Sequence, residues 1–284
     1  MLRHVAGLDH LVIAVHDLER AARAWRRLGF TLSPPGTHSA HMGTGNFTIM
    51  FGDDYLELLG VLAPTPQNAP MRAFLERGEG VDRAAFTALD AAAGVSELQA
   101  LGIAATGPLD FGRPVDLPGG GRAEARFRTM YWPTGERPGG MRLFACQHLT
   151  RDAVWIPELQ RHANGARGIA RVELLARDPR ATAQHLGRLI DQAPVAEPDG
   201  AWRVASGGTR GDFVVLDRAR LRARYPGVAT DALSDDGAAA IVLRVDDVQR
   251  AAAALGDVPF TRVGSSLVVP STHASGLLLV LTPA

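Results

Sequence analysis

One cysteine, Cys146, stands in 284 residues. The chain can therefore close no intramolecular disulfide and build no thiolate metal cluster. A charge of either sign is also missing, because 30 basic and 30 acidic residues cancel. Nothing in that balance draws the chain to nucleic acid or to an anionic membrane surface, and neither is expected as a partner. No apolar run approaches the roughly 20 residues that cross a bilayer. The opening Met1-Leu2-Arg3-His4-Val5 carries no apolar segment of the signal-peptide kind. These absences predict a reduced, cytoplasmic protein that handles a small molecule. What is plentiful is apolar side chain, 46 % of the residues, enough for a sizeable core. The length is about twice that of a typical domain of roughly 100–200 residues.

The periodicity contains a repeat. Leu8 to Val15 reads as a strand, and Asp17 follows as a helix N-cap whose carboxylate accepts from first-turn N–H groups. Leu18, Ala21, Ala22, Trp25 and Leu28 then mark one face of a helix that stops at Gly29. The same grammar returns behind Asp90, Asp178 and Asp247, at successive steps of 73, 88 and 69 residues. Strands are expected after each helix: Phe30 to Ser33, Gly45 to Phe51 and Tyr55 to Val61 in the first unit, and about Leu109 to Val115, Arg122 to Tyr131 and Met141 to Gln147 in the second. The unit is βαβββ, less clear in its third copy. A single such sheet leaves one face uncovered, so four units imply two paired α+β domains. The expected bounds are 1–150 and 165–284, with Thr150 to Gly168 as the connection. Pro64 to Pro70 joins units one and two and precedes a short helix, Met71 to Arg77.

The run Leu8-Asp9-His10-Leu11-Val12-Ile13-Ala14-Val15, the Asp-capped helix to Gly29-Phe30 and Tyr55-Leu56-Glu57-Leu58 resemble the vicinal oxygen chelate superfamily. That group includes glyoxalase I, extradiol ring-cleaving dioxygenases and bleomycin-resistance-type binding proteins. Gly43-Thr44-Gly45-Asn46, Tyr55-Leu56-Glu57 and Phe144-Ala145-Cys146-Gln147-His148 are similar, more narrowly, to glyoxalase-like domain proteins. The resemblance implies a divalent metal ion (Fe, Mn, Ni or Zn) in the cup of a paired module, held by a first-strand histidine and a last-strand glutamate. By position these are His10 and Glu57, the latter doubling as the proton-shuttling carboxylate. His148 is the third-ligand candidate, with Gln147 as its competitor one register step away. Each has a plain alternative: His10 capping backbone or facing solvent, Glu57 pairing with an arginine. Counting back seven residues from the other capping aspartates gives Arg83, Arg171 and Ala240, none of them a usual ligand.

Other polar residues complete the candidate set. Aligning the turn after Phe51 with that after Tyr131 pairs Asn46 with Arg126. Alternation puts Arg122, Glu124, Arg126 and Arg128 on one strand face. If that face lines the cup, Arg126 or Arg128 holds a substrate carboxylate or phosphate; the alternative is a solvent face. His41 sits in a loop that can close over a ligand. Cys146 reads as buried and inert, and Trp132 and Trp155 as core or pocket wall. Gly43-Thr44-Gly45 precedes a strand rather than a helix, so it is no dinucleotide fingerprint, and the turn Pro118-Gly119-Gly120-Gly121 lacks the Lys-Ser or Lys-Thr of a phosphate loop. The expected function is metal-dependent lyase, isomerase or dioxygenase chemistry on a small oxygenated metabolite. The alternative is a metal-free protein that sequesters a small ligand. Self-association into a homodimer stays open.

Overall fold

The computed structural model describes residues 2–117 and 120–284; half of the expected turn at Pro118 to Gly121 lies outside them. The fold is α+β, built on two eight-stranded sheets. The first sheet holds β1 (Val5–Val15), β2 (Gly36–Thr37), β3 (Thr44–Met50), β4 (Tyr55–Val61), β5 (Gly80–Ala88), β6 (Thr106–Asp116), β7 (Arg122–Tyr131) and β8 (Arg142–His148). Their order, β2-β3-β4-β1-β5-β8-β7-β6, is two mirrored four-strand modules joined by the antiparallel β1–β5 seam. The second sheet repeats it with β9 (Ala166–Leu175), β10 (Val195–Ala196), β11 (Trp202–Val204), β12 (Asp212–Leu216), β13 (Gly237–Val245), β14 (Thr261–Val263), β15 (Ser266–Val269) and β16 (Leu278–Pro283).

The four capping aspartates all act as such. Asp17 opens α1 (Leu18–Arg27), Asp90 opens α3 (Ala91–Ala100), Asp178 opens α4 (Pro179–Ile190) and Asp247 opens α6 (Val248–Leu255), each carboxylate accepting from first-turn backbone N–H groups. Two further helices fall between modules: α2 (Ala69–Leu75) and α5 (Arg218–Arg224). The α2 helix starts two residues earlier than expected because Pro70 is tolerated in its first turn. The expected strand at Phe30 to Ser33 is irregular chain instead, and the edge strand is the two-residue β2. Ser33 does donate one ladder bond to the Thr48 carbonyl at 2.9 Å, but Pro34 and Pro35 follow and have no N–H to continue it.

One apolar core runs through both halves. Leu11, Ile13, Trp25 and Phe86 from the first half join Ile169, Val172, Phe213 and Leu279 from the second. Trp132 donates to the Leu189 carbonyl at 2.8 Å, and Trp25 to Ser275 Oγ at 3.2 Å. The helical faces of the sheets are thus sealed together, leaving each sheet's other, concave face to be filled or used. In the second sheet it is filled: Leu221, Tyr225 and Leu233 pack on Val214, Val242, Val268 and Val280. The fully buried Glu173 there is neutralised by Arg171 at 2.7 Å and Arg224 at 3.0 Å. In the first sheet, edge strands β2 and β6 meet and curl the sheet into a cup. Two apolar clusters occupy the cup's ends, one around Met71 and Leu75 of α2, the other around Phe127, Trp155 and Leu159. A polar band lies between them.

Candidate functional site

The polar band begins with a break in strand alternation. Leu8 pairs with Phe86 and His10 with Ala85, so two steps along β1 match one along β5 and Asp9 is the extra residue. Neighbouring side chains normally leave a strand on opposite faces. The bulge lets both Asp9 and His10 address the cup. A bulge recurs at the same count before each capping aspartate, at Asp9, Asp82, Ala170 and Ala239. The repeat therefore includes a backbone feature, and only the first sheet puts carboxylates on it.

Asp9 is 1 % exposed and accepts three hydrogen bonds: His10 Nδ1 at 2.7 Å, His148 Nε2 at 3.0 Å and Thr87 Oγ1 at 2.8 Å. Burial pushes its carboxyl up, but the charge of His148 and the bonds from both histidines outweigh that and hold it well below the usual carboxylate range. A carboxylate can only accept, so His10 donates from Nδ1, and Nε2 is the ring nitrogen turned to the rest of the band. That atom faces Glu57 Oε2 at 3.9 Å and the Tyr55 hydroxyl at 3.5 Å. The His10 and Tyr55 rings are stacked, with centroids 4.2 Å apart. Glu57 Oε1 accepts from Asn46 Nδ2 at 2.6 Å. Burial raises the Glu57 carboxyl, yet His10, His38, the Asn46 bond and Arg83 together bring it below its ordinary value. Burial and the Asp9 charge push the Tyr55 phenol well up, so it keeps its proton.

The expected residues separate into those the fold gathers and those it does not. His10, Asn46, Glu57 and His148 share the cup. Parity settles His148 against Gln147: the Gln147 amide turns outward and caps α3, accepting from Ala91 N at 3.1 Å. Arg126 and Arg128 are not in the cup. Ala125 and Phe127 take the inner face of β7, Arg126 is exposed, and Arg128 pairs with Asp110 at 2.6 Å outside. The alternation was right and the polar face is the wet one. His41 is exposed, and among the described residues its side chain bonds only Ser39, at 3.1 Å. The histidine that reaches the band is His38, whose Nδ1 lies 2.8 Å from Thr44 Oγ1 and whose ring is pushed down by burial. Cys146 is buried and its thiol is pushed up by burial. Trp155 walls the site edge-on to His148 at 4.8 Å.

Comparison with known proteins fits this picture. A family model described as a glyoxalase-like domain matches residues 8–190. That stretch covers more than half of the chain and includes His10, Asn46, Glu57 and His148. The chain belongs to the glyoxalase-like domain family. Among solved structures, a hypothetical protein from Staphylococcus aureus superposes with a TM-score of 0.69 at 15 % identity, covering 98 % of this chain and 99 % of that one. A variant of 4-hydroxymandelate synthase from Streptomyces coelicolor gives 0.59 at 16 % identity, covering 98 % and 92 %. A variant of homoprotocatechuate 2,3-dioxygenase from B. fuscum gives 0.55 at 10 % identity, covering 98 % and 71 %. These likenesses establish the vicinal oxygen chelate fold over the whole chain. No curated protein matches the sequence. Among the described residues, no helix is long and apolar enough to cross a membrane.

The donor chemistry of this glyoxalase-like cup can be tested against a divalent ion. His10 Nε2 and Glu57 Oε2 converge, but His148 spends its Nε2 on Asp9, and its Nδ1 is buried without a partner among aromatic rings. Among the described residues, no three histidine, cysteine, aspartate or glutamate side chains are arranged to hold a metal ion. In the second module the counterparts of His10 and Glu57 in the parallel ladders are Arg83 and Phe144. Arg83 stands in the same cross-strand row as Glu57, with Val12 between them. A guanidinium there opposes a second cation, so the residues present do not make up a metal centre.

Proposed function

We propose that this cup is a proton-transfer site of the isomerase or lyase type, acting on a small oxygenated molecule with protein groups alone. The supporting observation is the convergence of two bases, Glu57 Oε2 and His10 Nε2, 3.9 Å apart in a buried band. Each is fixed from behind, Glu57 by Asn46 and His10 by Asp9. Two acceptors so placed receive a substrate C–H or O–H proton between them. Glu57, held ionised, takes the proton from carbon beside a carbonyl. The Tyr55 O–H donates to the developing enolate oxygen, and His10 accepts a hydrogen bond from a neighbouring substrate hydroxyl. Glu57 then returns the proton to the same or the adjacent carbon. The chain contains no lysine, so a Schiff-base route to the same carbanion is closed.

The test is hydrogen exchange from small 2-hydroxy carbonyl compounds and 2-oxo acids in deuterated water, followed by NMR. The expected result is enzyme-dependent loss of the proton beside the carbonyl, reduced by roughly a hundredfold or more in Glu57→Gln, the usual scale for a lost general base. Oxygen uptake with catechols would overturn the reading in favour of a dioxygenase. Tight binding without exchange would favour a sequestering protein.

A further inference from the structure

The cup has a mouth where β2 meets β6, and one side chain there has no partner. Arg113 lies on the inner face of β6, opposite the buried Ala125 in the β6–β7 ladder. It is half-buried, and among the described residues its guanidinium makes no hydrogen bond or ion pair. The other buried or half-buried arginines of the first sheet each have a carboxylate partner: Arg83 and Arg142 share Asp82, and Arg128 has Asp110. Arg113 crosses Gly36, where a Cβ would meet Arg113 Nη1 at 3.0 Å and collide with Asn46 Oδ1. The missing side chain at residue 36 is what lets the guanidinium reach the band. Asn46 Oδ1 is itself buried and unpartnered, in a residue 3 % exposed. Arg113 lines a cleft of about 180 Å3 with the hydroxyls of Ser33 and Thr48 and the apolar side chains of Val115, Val154 and Ile156. Thr48 is the direct ladder partner of Glu57, which places this wall of the cleft one strand away from the acid–base pair. Arg122 also borders it but is matched by Asp116 at 3.1 Å.

We infer that Arg113 anchors the carboxylate of a small monocarboxylic acid, with the acid's apolar body on Val115, Val154 and Ile156 and its far end towards Glu57. This names the substrate class of the site and so rests on the proton-transfer reading. A guanidinium offers a planar fork that matches a carboxylate with two parallel bonds. The cleft is below the roughly 300 Å3 at which drug-sized ligand sites begin, which limits the acid to a small one.

Binding separates the two readings because it needs no turnover. Pyruvate, isobutyrate and benzoate, each beside its primary amide, are titrated by NMR into the wild type, Arg113→Gln, Glu57→Gln and, as an outer-face control, Arg126→Gln. At least one acid is expected to bind roughly ten- to a hundredfold better than its amide, the worth of a charge-assisted contact. That preference disappears in Arg113→Gln, is partly kept in Arg113→Lys, and is unchanged in Arg126→Gln. It also persists in Glu57→Gln, whether or not hydrogen exchange has been detected. Equal binding of acids and amides by the wild type, no acid binding at all, or an unaltered preference in a folded Arg113→Gln would each overturn the assignment. A preference lost in Glu57→Gln and kept in Arg113→Gln would do so as well.

Discussion

Replacing Asp9 with alanine removes one acceptor and strands three donors. His10 Nδ1, His148 Nε2 and Thr87 Oγ1 all point at this carboxylate, at 2.7, 3.0 and 2.8 Å. A buried donor left unpaired costs roughly 1–3 kcal/mol. The three losses do not add fully, since the rings can shift and water can enter the space left by the carboxylate. The net expectation is about 3–5 kcal/mol, the scale of breaking a buried charged network from one side. Urea unfolding at neutral pH, followed by tryptophan fluorescence, should show the midpoint falling accordingly with little change in slope. Asp82→Ala is the built-in comparison. It removes the same bulge carboxylate from the second module, but its partners Arg83 and Arg142 have side chains 25 % and 16 % exposed, so water can replace part of the loss and the cost is smaller. Ala170 and Ala239 hold the same bulge position in the second sheet, so the backbone feature does not itself need a carboxylate. An Asp9→Ala protein within about 1 kcal/mol of wild type, or one no less stable than Asp82→Ala, would refute the claim that Asp9 organises the cup.

Two further outcomes follow from other residues. Asp54 accepts from Ile169 N at 3.1 Å, and burial, opposed by that bond and by Arg210 and Arg244, raises its carboxyl to about 7. The unfolded chain then ionises this group first as pH rises, so stability declines between about 4 and 7 by roughly 3–4 kcal/mol and is flat above. Asp54→Asn should remove that decline, raising the urea midpoint at pH 8 relative to wild type but not at pH 4; parallel pH profiles for the two proteins would count against it. Gly36→Ala puts a methyl group where Asn46 Oδ1 and Arg113 lie. It should cut hydrogen exchange by roughly tenfold or more, since a small misplacement of a positioning group is costly, with a thermal midpoint shifted by only a few degrees. An exchange rate equal to wild type would show that Asn46 does not position Glu57.

The sequence was most informative where local chemistry decides. The four aspartates announced themselves because an N-cap needs only its own first turn, and the βαβββ order followed from apolar periodicity. Glu57 stood out as a carboxylate in an apolar strand, and the structure surrounds it with Asn46, His10 and His38. Asp9 was passed over because alternation sends it away from His10; only the bulge, fixed by pairing with β5, turns both inward. One signal was present: carboxylates recur eight residues before Asp17 and Asp90. Parity correctly grouped Arg126 with Arg128 but could not say which face of β7 the cup takes. The cup's cation came from Arg113 on the adjacent strand. His38 was overlooked beside His41 because loop residues carry no period. The emptiness of the second half in ligands has a physical form as well: α5 and the chain after it fill that concave face with Leu221, Tyr225 and Leu233.

The central claim is that Glu57, with His10 beside it, moves a proton without a metal ion. The most direct measurement is the rate of substrate hydrogen exchange into deuterated water before and after exhaustive chelation, with Fe, Mn, Ni or Zn then added back. An unchanged rate through all three stages, reduced by roughly a hundredfold or more in Glu57→Gln, is the predicted result. A rate lost on chelation and restored by one of these ions would contradict it and return His10 and Glu57 to the role of metal ligands.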